Sequence, residues 1–219
     1  MFHVEHRASW WDIVVNETLK FGISINEEVL AKLSVYLREL RNWNRKINLS
    51  GFDDPEQIAI KHFLDSLAGA MALKDVPGGQ ILDVGSGAGF PGLPLKLIFP
   101  KLPLRLLEPN TKKTAFLRHL IGTLGLEGVA VSSKRVQDFA DCALENAQYS
   151  AVVTRAVKPN EVLSAAVPLL SNRGRIILWR TESLEPKQLV PGLRLETELT
   201  YTLPGGYGDR KLSILLKSQ

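Results

Sequence analysis

Apolar residues recur at helical spacing through the first seventy-odd positions of the chain. Val29, Leu30, Leu33, Tyr36, Leu37, Leu40 and Trp43 share one stripe, the pattern that buries one face of a helix. Ser24-Ile25-Asn26-Glu27 lies just before this stripe and matches a capping box, which places the helix start at the serine. Asp54-Pro55-Glu56-Gln57 predicts a second start, with Asp at the N-cap and Pro at the first helical position. An earlier helix is expected over Ser9–Phe21, with Trp10, Trp11, Val14 and Val15 turned inward.

After Pro77-Gly78-Gly79 the rhythm changes to short apolar runs alternating with helical stretches. Strands are expected at Gln80–Val84, Leu102–Leu107, Val129–Ser132, Ala151–Thr154 and Arg175–Trp179. Helices are expected between them at Gly92–Phe99, Thr111–Leu124, Arg135–Leu144 and Asn160–Leu170. Such alternation means right-handed crossovers and a parallel sheet. Two late strands, Leu195–Leu203 and Lys211–Lys217, flank the turn-rich Pro204-Gly205-Gly206-Tyr207-Gly208-Asp209, which suits an antiparallel hairpin at the sheet edge. The expected fold class is α/β and Rossmann-like: a mostly parallel seven-stranded sheet over residues 79–219 with a helical extension over residues 1–78, in one globule.

The chemical signal is Asp83-Val84-Gly85-Ser86-Gly87-Ala88-Gly89-Phe90, set where the first strand ends and a helix begins. Ligands of open α/β sheets enter there, and glycines let backbone amides come close. The spacing differs from the dinucleotide fingerprint, whose sixth position is glycine where this chain has Phe90. Asp83 just before the turn suits a cofactor carrying an amine and a sulfonium, so the expectation is S-adenosylmethionine. Glu108 ends the next strand, where a carboxylate can accept from ribose hydroxyls. Val136-Gln137-Asp138 follows the third strand, near where an adenine would lie, and Phe90 could line the cofactor pocket or pack in the core.

What is missing narrows the reaction. After the fourth strand the chain reads Val153-Thr154-Arg155-Ala156-Val157, not the Asn/Asp-Pro-Pro-aromatic turn of enzymes that methylate exocyclic amines. Cys142, the single cysteine, has no Pro-Cys context for attack on cytosine C5, and alone it can form no intramolecular disulfide. A ring nitrogen such as guanine N7 already exposes a lone pair and needs no base. Arg155, at a central strand end, could contact the cofactor or hold a guanine O6 or a phosphate.

Composition adds less. Hydrophobic residues at 45% and charged residues at 23% suit a globular chain. With no apolar run of membrane length and no signal-like N-terminus, a cytoplasmic monomer without a membrane partner is expected. The net charge of +4 is uneven: residues 79–219 hold 18 Lys/Arg against 12 Asp/Glu, so the excess could steer a polyanion. No metal site is expected, because His62 and Asp65 share a helical face without further ligands at matched spacing. An inter-element hydrogen bond is the better reading of that pair. The same preference for a structural role applies to Trp43-Asn44 and Asn48.

Trp43-Asn44-Arg45-Lys46-Ile47-Asn48-Leu49-Ser50, His62-Phe63-Leu64-Asp65-Ser66-Leu67, the Asp83–Gly92 turn, Thr154-Arg155-Ala156 and Arg210-Lys211-Leu212 together resemble the bacterial small-subunit ribosomal RNA methyltransferase G family, also called glucose-inhibited division protein B. The resemblance implies methylation of N7 of guanine 527, in the decoding-region loop of 16S rRNA, on the 30S subunit or an assembly intermediate. It also implies cofactor contacts at Gly85, Phe90, Val136, Gln137 and Arg155, beside the Asp83, Gly87, Gly89 and Glu108 read from the turn and strands. Arg155 and Arg210 are the expected catalytic pair, orienting cofactor or RNA, and Lys112, Lys113, Arg118, His119, Lys158 and Lys211 would complete a basic ring. Gln137 stands where the family usually has glutamate, and Lys112-Lys113 where it has Lys-Arg. A methyltransferase for a small molecule or protein, and a non-catalytic RNA-binding module, are the alternatives.

Overall fold

A computed structural model describes residues 10–74, 76, 78–143, 149–155 and 159–218. Two helices open the chain, α1 (Trp10–Lys20) and α2 (Glu27–Asn44). Helix α2 begins one residue after Asn26, whose side chain accepts from the Val29 amide; the Ser24 box predicted from the sequence therefore gives way to an asparagine cap. Leu33, Tyr36, Leu37 and Leu40 bury the predicted stripe, whereas in α1 Val14 is buried and Val15 only partly.

Asp54 caps α3 (Pro55–Ile58) by accepting from Gln57, as its sequence suggested. The helix then widens into a π-helical stretch over Ala59–Leu64 before α4 (Asp65–Leu67) and α5 (Ala70–Leu73). Single π turns of this kind displace backbone and side chains and are frequent at functional sites.

Strands β1 (Ile81–Val84), β2 (Leu104–Leu107), β3 (Val129–Ser132), β4 (Tyr149–Arg155) and β5 (Leu170–Arg180) run parallel, with α6 (Gly92–Ile98), α7 (Thr111–Thr123), α8 (Val136–Ala143) and α9 (Pro159–Ala166) as crossovers. The hairpin β6 (Leu193–Leu203) and β7 (Gly208–Lys217) closes the sheet antiparallel, in the order β3-β2-β1-β4-β5-β7-β6. The largest shift of a strand start from expectation is at β5, which begins at Leu170 rather than Arg175. Pro168 lies in a tight 3-10 turn that ends the preceding helix early, and Leu170 already pairs with Tyr149 before the register shifts.

Successive residues of β1 serve opposite faces of the sheet. Ile81 joins the core beneath the N-terminal helices, α6 and α7, while Leu82 and Val84 join the core beneath α8 and α9. Thus the helical extension packs with α6 and α7 on one face of the sheet. Among the described residues no helix is long and apolar enough to cross a membrane.

Candidate active site

Strand register places the site. At the carboxyl edge Leu107, Thr154 and Leu178 lie in one row with Val84, and Arg155 pairs with Trp179, which pairs with Leu212. Glu108, Gly85 and Arg155 therefore emerge side by side from β2, β1 and β4.

Asp83, next to the turn, is fully buried. Its Oδ2 accepts from the Gly92 amide at 2.8 Å, so the carboxylate caps the start of α6, while Oδ1 has no hydrogen-bond partner among the described residues. Burial pushes its pKa up to about 7, offset in part by the Gly92 amide and the Arg155 charge. Glu108 fastens the turn from the other side, with Oε2 accepting from Gly87 N at 2.8 Å and Oε1 from Asn110 N at 2.9 Å. Both predicted acids thus shape the turn itself, and each keeps acceptor capacity beyond these bonds.

The glycines of the turn differ in what surrounds them. A Cβ on Gly89 (φ 100°) would lie 2.5 Å from the Tyr36 hydroxyl and 2.6 Å from Leu93, so this position is glycine for packing. A Cβ on Gly87 (φ 57°) would meet nothing closer than the Gly85 carbonyl at 3.9 Å, so its bare backbone faces open space. Beside the turn lies a crevice of about 400 Å³ lined by Val84, Gly85, Leu107, Pro109, Lys134, Arg135, Val136, Gln137 and Val162. Gly85, Val136 and Gln137 come together there as predicted.

Phe90 packs inward from the turn. It is buried in a ring stack, parallel to Tyr36 at 5.2 Å and to the His62 imidazole at 4.5 Å, and it lines neither cavity at this edge. The Tyr36 hydroxyl donates to the Ala88 carbonyl at 2.5 Å, binding α2 to the glycine turn.

Arg155 reaches the π-helical stretch and its end. Its Nη1 donates to Asp65 Oδ2 at 2.8 Å and to the Lys61 carbonyl at 3.1 Å, its Nη2 meets His62 Nδ1 at 3.0 Å, and its guanidinium lies 5.3 Å from the Phe90 ring. A guanidinium can only donate, so His62 Nδ1 accepts and its Nε2–H donates to Ser50 Oγ at 2.8 Å. Burial and the neighbouring Arg155 charge push the His62 pKa down to about 3, which keeps the ring neutral. Asp65 also accepts from the Tyr201 hydroxyl at Oδ1 (2.6 Å), and its backbone carbonyl accepts from Trp179 Nε1. The His62/Asp65 pair is therefore the inter-element link its spacing suggested. The partner, Arg155, lies ninety residues away and carries no local sign of the pairing.

A second cavity, about 540 Å³, opens beside Arg155 and is lined by Phe52, Lys61, His62, Asp65, Thr154, Arg155, Leu178, Trp179, Arg180, Thr181, Glu182 and Arg210. Arg155 and Arg210 do share this site. The wider basic ring is only partly formed: His119 turns to Glu39 on α2 at 3.0 Å and packs on Trp43, and Lys211 donates to Ser183 Oγ. Lys158 and the Cys142 side chain lie outside the described residues. Asn44 is structural, its Oδ1 accepting from the Leu49 and Ser50 amides. Among the described residues no group of His, Cys, Asp and Glu could hold a metal ion.

The fold, with its glycine turn at the end of β1 and an antiparallel hairpin at the edge, is that of the S-adenosylmethionine-dependent methyltransferases. Solved structures agree on the fold. A proposed O-methyltransferase from Klebsiella pneumoniae superposes with a TM-score of 0.63 at 16% identity, over 94% of this chain and 97% of that one. A mutant of MtNAS in complex with S-adenosylmethionine superposes with a TM-score of 0.59 at 14% identity, over 86% of this chain and 75% of that one. The family is given by sequence. The model of rRNA small subunit methyltransferase G matches residues 29–191, and the ribosomal RNA small subunit methyltransferase G of Dehalococcoides mccartyi is 38% identical over 90% of this chain and 86% of its own length. The chain belongs to the rRNA small subunit methyltransferase G family.

Proposed function

We propose that the chain transfers a methyl group from S-adenosylmethionine to N7 of guanine 527 of 16S rRNA, on the 30S particle or an assembly intermediate, acting as a cytoplasmic monomer. The observation that carries this reading is the meeting of two cavities across one strand pair: Val84 of the crevice is the Cα partner of Thr154 of the larger cavity. A donor in one and an acceptor base in the other would face each other there.

The crevice residues fit the cofactor. Val136 and Val162 offer apolar contact to an adenine and Gln137 an amide to its edge, while Glu108, which fastens the turn at Gly87, keeps acceptor capacity for ribose hydroxyls. Gly87 leaves the backbone open to close approach. Asp83, buried with one oxygen unpartnered, is only partly offset by the Arg155 charge, and a ligand bearing an amine and a sulfonium would add positive charge through space. The cofactor, when bound, supplies an electrophilic methyl on a thioether leaving group.

The protein has then to orient the acceptor and exclude water. A ring nitrogen such as N7 already carries a free lone pair and loses no proton on methylation, so the protein would need to supply no base. The two groups nearest Arg155 are also spoken for: His62 has both nitrogens engaged and Asp65 is paired on both oxygens. Phe52 and Trp179 offer apolar faces to a base, while Lys61 and Arg210 offer charge to flanking phosphates. Arg155, whose side chain is 15% exposed, presents its remaining edge to the cavity.

Incubation of the protein with labelled S-adenosylmethionine and 30S particles or 16S rRNA, followed by mapping of the modified nucleotide, tests this. Label at N7 of the predicted guanine is expected. Label at another atom, or none on RNA despite cofactor binding, overturns it.

A further inference from the structure

The larger cavity is cationic, with Lys61, Arg155, Arg180 and Arg210 around it, as a site for RNA should be. Two carboxylates also line it. Asp65 is consumed by Arg155 and Tyr201, but the Glu182 carboxylate makes no hydrogen bond or ion pair among the described residues. A free carboxylate here repels phosphate, so its presence needs a different explanation.

The loop carrying it is built rather than slack. Arg180 ends β5 and folds its guanidinium back, Nε donating to the Glu182 carbonyl at 3.0 Å and Nη2 to Gln188 Oε1 at 3.2 Å. The Leu184 amide donates to Glu198 at 3.0 Å, and Lys211 holds Ser183 at 2.8 Å. These bonds fix the backbone on either side of Glu182 and leave its side chain exposed at the cavity rim.

We propose that Glu182 reads the Watson–Crick edge of the target guanine, accepting from N1–H and from the exocyclic N2 amine. The inference rests on the base-pocket reading above and deepens it. Guanine presents two adjacent donors on that edge, matched to the two oxygens of a carboxylate, whereas adenine presents an N1 lone pair that a carboxylate repels. The topology agrees. In the order β1-β4-β5 the glycine turn follows β1 and Glu182 follows β5, so the two lie on opposite sides of the acceptor site. N7 and the N1/N2 edge are likewise opposite edges of guanine. A base with N7 toward the crevice turns its donor edge toward Glu182.

The test compares RNA substrates carrying guanine or inosine at the methylated position, using the full chain and its Glu182→Gln and Glu182→Ala variants. Inosine keeps N7, O6 and N1–H and lacks only the N2 amine. The wild-type protein is expected to favour guanine in kcat/KM by about 5-fold or more. In both variants guanine activity should fall to the inosine level, bringing the ratio near one, with S-adenosylmethionine affinity by calorimetry unchanged. A ratio that survives both substitutions, or a wild-type ratio near one, overturns the role of Glu182 while leaving methylation at guanine N7 intact. A wild-type protein that methylates no guanine N7 in RNA overturns the underlying reading and this inference with it.

Discussion

The two cavities at the carboxyl edge are built in different ways. The crevice is made from consecutive βα units: the backbone of the Gly85 turn, the end of β2 and the start of α8, each within a few residues of a strand. The larger cavity is assembled from side chains far apart in the chain, from Phe52 and His62 in the helical section to Arg210 in the last strand. The first depends on local backbone shape and the second on pairings that only the folded chain provides. Mutations should therefore damage them differently: small residues matter in the crevice, and charge pairs matter in the cavity.

The largest effect is expected at Arg155→Ala. Removing one partner of a buried pair strands Asp65, at a cost of about 3–5 kcal/mol, so both methylation and denaturant resistance should fall. Unchanged urea midpoint would show that the pair is not structural.

Next come the two glycines. Gly89→Ala forces a Cβ into Tyr36 and Leu93 at an unfavourable φ, and a loss of about 2–4 kcal/mol is expected. Gly87→Ala clashes with nothing, so it should cost about 1 kcal/mol yet weaken cofactor binding at least tenfold in calorimetry. Equal affinity for the cofactor in Gly87→Ala and wild type would remove Gly87 from the binding surface.

A pH series separates the two buried titrating groups. Asp83, raised from 3.8 to about 7, contributes stability that is present below pH 4 and lost as pH rises through 7. His62, lowered from 6.5 to about 3, contributes stability that is present above pH 6.5 and lost as pH falls through 3. Between pH 4 and 6.5 the two slopes oppose each other. Asp83→Asn removes one of them, so stability should rise with pH by on the order of 1–2 kcal/mol across that window. Identical slopes in variant and wild type would count against the buried carboxylate.

The smallest effect is expected at Lys112 and Lys113, exposed or half-exposed at the start of α7. Their double alanine variant should leave stability within about 0.5 kcal/mol and lower the salt slope of RNA binding by about 1 per residue removed. An unaltered slope would place the RNA elsewhere.

Periodicity and turn chemistry made the sheet, its crossovers and the glycine turn legible, because each depends on residues close in sequence. Asn26 displaced Ser24 as the cap since only the folded backbone decides which side chain reaches an orphan amide. Asp83 was visible as a strand-end acid, but its turn toward Gly92 depends on how α6 packs. The clamp of Arg155 on His62 and Asp65 was not legible at all: the partners are ninety or more residues apart, and the π-helical widening that presents them has no sequence signature.

The stack of Tyr36, Phe90 and His62 draws its rings from α2, the glycine turn and the π-helical stretch. It works as a rivet through three layers, and the Arg155 guanidinium lies against its middle plate. A catalytic domain trimmed to residues 79–219 would keep the glycine turn and lose two of the three plates, along with Asp65. The helical section is thus a wall of the larger cavity, and the sheet with its crossovers alone does not carry a complete one.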